Sequence, residues 1–421
     1  MKKTDIIKCL KANKQISDYE ITIKNKESRE LFYVLKHLEI NRAVNVEEAA
    51  IEIYVDKKDK KGNSCVFITA ADNTKTLKTK LSAAVKKATS AMNKYYPLAN
   101  KTTNIKDTQK KKLNLNKVAT EIAKAVYKAD TNKDGWINSC EIFVSSVRIE
   151  LITSKGINHV TYDNVCQIEI IPTWRNKDEE FELLKFVQTN DFNYANITKE
   201  AKEVLLLSKY RSEAVKASSL NIPKDVKVLV QGDMLSDLAN NFSGDATYEN
   251  LYLKQNHYKV NDIISDTKFN LTLVPEVKGC IASSKYDGHG VKLSKKQIIK
   301  NGKLIDNWGG IRFGYYLGVK KPTGEIPCVV VDAPSYDYKK EKHIIVEHFS
   351  APQLESYSGY FGGEIRLARY FDGKKYIPIT GFAVSGNIYE AAKNMKFSKE
   401  KTSSLNYSGP RYFIFDKLSI N

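Results

Sequence analysis

Apolar and polar positions alternate with two periods along this 421-residue chain, and the balance between them shifts midway. Ile6, Ile7 and Leu10 recur at helical spacing within Lys2–Lys11, which predicts a short amphipathic helix. Tyr19–Ile23, Ala49–Val55 and Cys65–Thr69 read as strands, with a polar turn at Lys58–Asn63 between the last two. Glu30–Glu39 fits either period. Leu81, Ala84, Val85, Ala88 and Met92 share one face of a helix predicted over Thr76–Asn93. Val118, Ile122, Ala125 and Val126 do the same over Asn116–Ala129, and the aperiodic Thr102–Lys112 between these helices is expected to be a loop. Two β-branched runs, Cys140–Thr153 and His159–Ile171, flank Ser154-Lys155-Gly156 as a strand pair flanks its turn. A further helix is expected over Thr198–Lys216, with Thr198 as its N-cap.

Near Ser218–Asp225 small residues and Pro223 interrupt the pattern. Beyond lie short β runs at Val226–Val230, Ile298–Ile305, Pro327–Val331, His343–Phe349, Glu364–Phe371, Pro378–Val384 and Arg411–Ile420. One late helix is marked by Asn387 as cap and Glu390 three residues on. The expected fold class is α+β. Residues 1–217 would form an α/β-mixed N-terminal domain of antiparallel strands with flanking helices, and residues 218–421 a β-rich C-terminal domain.

Composition narrows the classes. Hydrophobic residues at 42% exclude wholesale disorder. No apolar run reaches the roughly 18–20 residues of a membrane-spanning helix, and MKKTDIIKCLKANKQ lacks the apolar stretch of a secretory signal. The six cysteines are scattered singly, as free thiols in a reducing compartment would be, so a cytoplasmic protein is expected. A net charge of +18 invites a nucleic-acid reading, but it rests on 58 lysines and only nine arginines. Recognition of phosphates and bases leans on the arginine fork, so the charge reads as solvated surface.

The C-terminal half carries an ordered string of motifs. Tyr286-Asp287-Gly288-His289-Gly290 is followed by Ile298-Ile299-Lys300-Asn301-Gly302-Lys303-Leu304 and by Tyr316-Leu317-Gly318. Then come Phe349-Ser350, the run Ser358 to Arg366 (SGYFGGEIR), Pro378-Ile379-Thr380-Gly381-Phe382, Val384-Ser385-Gly386-Asn387-Ile388 and Pro410. This order resembles the TldD/PmbA family of metallopeptidase-related proteins, also called modulators of DNA gyrase. There a D-x-E-G turn precedes I-x-n-G-x-L, and an S-x-x-x-G segment, a Pro-rich strand and a G-N before a helix follow. His289 stands where the family usually has a carboxylate, and Ser154-Lys155-Gly156-Ile157 stands at its n-S-x-G strand turn.

The family holds two kinds of chain. TldD-type members carry H-E-x-x-x-H on a helix and a cysteine further on, a set able to hold zinc and activate water. The corresponding stretch here, Gly232-Asp233-Met234-Leu235-Ser236-Asp237, has no histidine, and Gly359–Glu364 has no cysteine. Of the six histidines only His343 and His348 are close in sequence, on opposite sides of a predicted strand. The resemblance therefore implies the metal-free PmbA (TldE) type. That is a non-catalytic subunit without a cofactor or catalytic residue of its own, pairing with a TldD-like zinc subunit to act on unfolded peptides, or self-associating as a homodimer in isolation. Ser358, Gly359, Gly362, Gly363, Glu364 and Arg366 are the candidates for lining the peptide channel, where extended peptides would be gripped by strand addition. Two alternatives stand beside this: a metallopeptidase active on its own through Asp233, Asp237 or His257, and a stand-alone binding or scaffold protein.

One motif competes. Asp130, Asn132 and Asp134, then Gly135 and finally Glu141, occupy the positions of an EF-hand loop. A strand-like run, Ile142–Val147, replaces the exit helix, so a polar turn is the favoured reading and calcium the alternative. There is no G-x-S-x-G elbow and no glycine-rich phosphate loop.

Overall fold

Long β-branched runs dominate the first half and form one antiparallel sheet in the computed structural model, which describes residues 2–101 and 113–421. The expected loop Thr102–Lys112 lies outside the described residues. Helix α1 (Lys3–Ala12) precedes β1 (Asp18–Val34), β2 (His37–Lys57) and β3 (Lys60–Ile68). Then come α2 (Thr74–Ser90), β4 (Met92–Lys94), α3 (Leu115–Tyr127), β5 (Gly135–Thr153) and β6 (Asn158–Asn176). The half closes with β7 (Glu179–Glu182), β8 (Lys185–Thr189) and α4 (Tyr194–Glu213). The strand order is β4-β3-β2-β1-β5-β6-β7, with β8 also on β6. Helices α1 and α2 bury Ile6, Leu10, Leu77, Leu81 and Val85 against Ile21, Ile51 and Ile53, and α3 with α4 covers Ile142, Val144, Ile168 and Ile170. Helix α2 lies so close to β3 that a Cβ on Gly62 would fall 1.8 Å from the Ala88 carbonyl oxygen.

Several expectations are sharpened here. The ambiguous Glu30–Glu39 contains the end of β1, a turn with Leu35 at φ +53°, and the start of β2. The polar turn shrinks to Lys58-Asp59, because Lys60–Asn63 already pair with β2. Thr198 is not the cap of α4. Asn193 accepts from the N–H groups of Ala195 and Asn196, which leaves Thr198 one turn inside, bonded to the Tyr194 and Ala125 carbonyls.

The second half begins with β9 (Val215–Lys216), β10 (Lys227–Val230), α5 (Asp233–Gly244) and α6 (Tyr248–Leu253). It continues through β11 (Asn270–Val274), β12 (Lys296–Lys300), β13 (Lys303–Leu304), α7 (Ile311–Tyr316), β14 (Cys328–Asp332) and β15 (His343–Phe349). Then follow β16 (Gln353–Leu354), β17 (Tyr360–Phe371), β18 (Tyr376–Thr380), β19 (Phe382–Asn387) and α8 (Ile388–Ala391). The last strands are β20 (Lys396–Phe397), β21 (Lys401–Ser404), β22 (Tyr407–Pro410), β23 (Phe413–Phe415) and β24 (Ser419–Ile420). They make a ten-stranded sheet, β20-β23-β10-β15-β17-β18-β9 with β16, β19 and β24 attached, and a six-stranded sheet, β13-β12-β11-β14-β22-β21. Val228, Leu271, Ile298, Phe361, Phe397 and Phe413 meet in the core that these sheets share with α5.

Three expected strands are each two. Ile298–Ile305 is split by the turn Asn301-Gly302, both at positive φ, and Pro378–Val384 by Gly381 at φ +73°. Arg411–Ile420 holds β23 and β24. Asn387 caps α8 as expected, accepting from the N–H groups of Tyr389 and Glu390, although the helix is a single turn. Val215–Lys216, which the expected division places in the N-terminal domain, pair in parallel with Ile379 and Thr380 of the C-terminal sheet.

Candidate functional site

Where β10 ends, Gln231-Gly232 turn the chain into α5, with Gly232 at φ +73°. This is the stretch matched to the family's zinc helix, and it opens on a cleft of about 470 Å³ lined from both halves of the chain. Strand β8 and helix α4 form one wall, and the β21 segment, Glu347 and Arg411 form the other.

A ladder of alternating charge crosses the cleft. The Arg411 guanidinium donates to Glu203 Oε2 at 3.2 Å and, through Nε, to Gln231 Oε1 at 3.4 Å. Gln231 Nε2 donates to Glu347 Oε2, and Arg369 Nε donates to Glu347 Oε1 at 2.6 Å. Glu347 is thus held by a partner on each oxygen, which fixes its side chain. Burial raises the Glu200 carboxyl above its usual range, and neighbouring Glu203 adds to the rise. Five carboxylates and five cationic side chains line the cleft, so it is nearly neutral on a protein of net charge +18.

The donors present do not fit a zinc ion. The lining contains carboxylates, amines, amides and hydroxyls but neither imidazole nor thiol. Asp233 and Asp237 are both exposed on α5, as their spacing of four implies. Burial, followed by the Asp233 charge, raises the Asp237 carboxyl. Among the described residues, no group of three or more His, Cys, Asp or Glu is placed to hold a metal ion. His348 turns its ring to the Leu184 carbonyl at 3.1 Å, and His343 is buried against the Tyr376 hydroxyl at 3.0 Å. His257 stacks on Tyr389 with ring centroids 3.8 Å apart, and its backbone N–H donates to Asp245 Oδ1.

The calcium-loop residues are pulled apart. Gly135 to Glu141 run within β5, and six residues of strand carry Glu141 about 20 Å away from the loop. Asp130 instead faces Lys36 at 3.6 Å.

The channel candidates Ser358, Gly359, Gly362, Gly363, Glu364 and Arg366 all lie on β17 or the turn before it. Gly359 sits at φ +78°, and Ser358 donates to Glu355 Oε2 at 2.7 Å. Strand addition to this segment is blocked. Gly362 faces Gln353 of β16 on one side and Ser385 of β19 on the other, so its backbone already has strands on both edges. Glu364 and Arg366 are exposed, so side chains are what this strand offers to solvent.

The open edges lie elsewhere. Strand β21 is the last of its sheet and pairs only with β22, and β8 pairs only with β6 among the described residues. Both border the cleft. Sequence reading missed them because Lys185–Thr189 and Lys401–Ser404 have no catalytic signature. The one usable signal was Arg411, one of only nine arginines and part of the cleft lining.

Residues 223–421 match the PmbA/TldA metallopeptidase C-terminal domain. The C-terminal half of the chain is thus a domain of the TldD/PmbA family. Its whole fold is similar to that of TldE from Thermococcus kodakarensis, with a TM-score of 0.78 at 16% identity over 99% of both chains. A protein from Thermotoga maritima described as a modulator of a DNA gyrase superposes with a TM-score of 0.78 at 14% identity, over 100% of this chain and 99% of that one. A similarly described protein from Bacteroides thetaiotaomicron gives 0.77 at 16%, over 100% and 98%. No curated protein matches the sequence. No helix among the described residues is long and apolar enough to cross a membrane.

Proposed function

We propose that this TldD/PmbA-family chain is a peptide-binding, non-hydrolytic subunit of the PmbA/TldE kind that works with a TldD-like zinc subunit. The observation that carries the reading is the cleft at the start of α5, where two strand edges with open backbone meet a wall of mixed charge. An extended peptide satisfies such an edge through its own N–H and C=O groups whatever its side chains. Near-neutral walls then tolerate either sign of charge. The site assigned to strand addition moves from Ser358–Arg366 to Lys401–Ser404 and Lys185–Thr189.

A partner surface is available. Residues 37–48 of β2 extend beyond the reach of β3, pair only with β1 among the described residues, and are exposed except for Val44. Leu38, Ile40 and Val46 stand on this free edge. An edge of this kind recruits another strand, and a TldD-like subunit is the occupant proposed here.

Co-expression with a TldD-like chain tests the reading. Each chain alone and the pair are assayed for cleavage of unstructured peptides, with metal measured on each. The expectation is chelator-sensitive cleavage that needs the TldD-like chain, and no stoichiometric zinc on this one. Chelator-sensitive cleavage by this chain alone would favour the self-sufficient metallopeptidase, and a homodimer indifferent to the TldD-like chain would favour the stand-alone scaffold.

A further inference from the structure

A second cavity, of about 600 Å³, lies between the concave face of β1–β3 and the Asp287–Gly290 turn of the C-terminal half. Its charge is unusual for this protein. Among the described residues, Glu20, Glu52, Glu249 and Glu325 line it against His289 and Arg312. Glu20 is 5% exposed. One of its oxygens, Oε2, accepts from the Tyr54 hydroxyl at 2.9 Å and from His289 Nδ1 at 2.9 Å. The other, Oε1, is buried with no hydrogen-bond partner among the described residues. Arg312, also lining the cavity, lies over the Phe313 ring at 5.0 Å and the Tyr96 ring at 5.8 Å, and its buried Nε has no hydrogen-bond partner among the described residues.

A buried polar group left unmatched is expensive, and two of opposite sign in one cavity point to what would match them. We propose that this cavity binds a small zwitterion, a free amino acid or a dipeptide, with its ammonium on Glu20 and Glu52 and its carboxylate on Arg312. The excess of carboxylates disfavours a phosphate or other simple anion. A lone amine leaves Arg312 unmatched, and a lone carboxylate leaves Glu20 unmatched. Glu52 is already positioned, accepting from Asn63 Nδ2 at 2.6 Å, and keeps lone pairs for an ammonium. The rings of Tyr54 and Tyr96 bound the same space, although both already lie near Lys61 Nζ, at 5.3 and 5.9 Å. The volume exceeds a single small amino acid and falls in the ordinary range for a ligand pocket.

Calorimetric titration of the full chain tests this. The probes are the twenty common L-amino acids and their glycyl dipeptides, each alone, with butylamine and butyrate as single-charge controls. At least one zwitterion is expected to bind with a dissociation constant below about 1 mM, and both controls more weakly. Arg312→Gln and Glu52→Gln should each weaken that binding roughly tenfold or more, through loss of a charge-assisted contact. Glu52→Gln keeps an oxygen for Asn63 and is expected to retain the wild-type thermal midpoint, whereas Arg312→Gln loses its ring contacts and is compared after circular dichroism shows it folded. No binding by any zwitterion, butylamine binding as tightly as the best zwitterion, or binding unchanged in a folded Arg312→Gln variant would each overturn the assignment.

Discussion

His289 and Glu20 stand 2.9 Å apart across the boundary between the two halves of the chain, although 269 positions separate them in sequence. The hydrogen bond to Glu20 raises the imidazole to about 9, with burial opposing and the charges of Glu20, Asp287 and Glu325 assisting. A folded value above the usual 6.5 means that the pair's stabilisation is complete below about pH 6.5 and lost as pH rises through about 9. The thermal midpoint of His289→Gln should therefore fall furthest below wild type at acidic pH and converge with it above about pH 9. The ring is half-exposed, so the gap should stay under about 1 kcal/mol. A gap independent of pH would refute the charged pair.

Lys61 is 1% exposed and lies 2.7 Å from Asp56 and 3.6 Å from Asp18, over the rings of Tyr54, Tyr95 and Tyr96. Lys61→Met keeps the volume and strands the carboxylates. Asp18 retains Lys155 at 2.8 Å, and Asp56 reaches water. The expected loss is therefore about 2 kcal/mol, below the usual cost of breaking a buried pair. Chemical denaturation at neutral pH measures it, and an unchanged midpoint would mean that Lys61 contributes only packing.

Gly302 closes the β12–β13 turn at φ +76°, and a Cβ there would lie 2.2 Å from the Ser265 carbonyl oxygen. Backbone atoms cannot yield as a side-chain tip can. Gly302→Ala should cost about 3 kcal/mol or more, or prevent folding. Gly373, also at positive φ, has open space around it, so Gly373→Ala should cost only about 1 kcal/mol. Equal losses at the two sites would contradict the close approach.

The β21–β22 hairpin closes through Leu405-Asn406, so Ser404 and Tyr407 form the hydrogen-bonded pair of a two-residue turn. Alternation then points the Lys401 and Ser403 N–H groups away from β22. Pro410, which has no N–H, stands opposite Lys401 as that phase requires. Proline is tolerated on such an outward edge position. Ser403→Pro should leave the fold intact and weaken capture of a fluorescent unstructured peptide, while Thr402→Pro should disturb the hairpin itself. Peptide binding unaffected by Ser403→Pro would move the recognition edge away from β21.

The long elements were legible because a single period persists through them. Cys140–Thr153 with His159–Ile171, and Asn116–Ala129, are found to within five residues at each end. Boundaries failed where local chemistry outweighed period. Asn193 takes the cap expected at Thr198, and Asn301-Gly302, a recognised hairpin signal, outweighs the β-branched period on either side of it. The cleft was illegible for a different reason. Gln231, Glu347 and Arg411 are each unremarkable in their own segment and become a ladder only when β10, β15 and the chain before β23 are brought together. The motif reading located the start of α5, but the glycines of β17 drew attention to a strand whose edges are already filled.

The two-residue strand at Val215–Lys216 has a practical consequence for anyone dividing the chain. It covers the outer edge of β18, so a fragment starting at residue 218 would expose that edge like a zip with its last teeth removed. Such a piece would tend to pair with its own copies. Starting the fragment at Ala214 keeps the seam closed, and its solubility against that of the shorter piece would report what those two residues contribute.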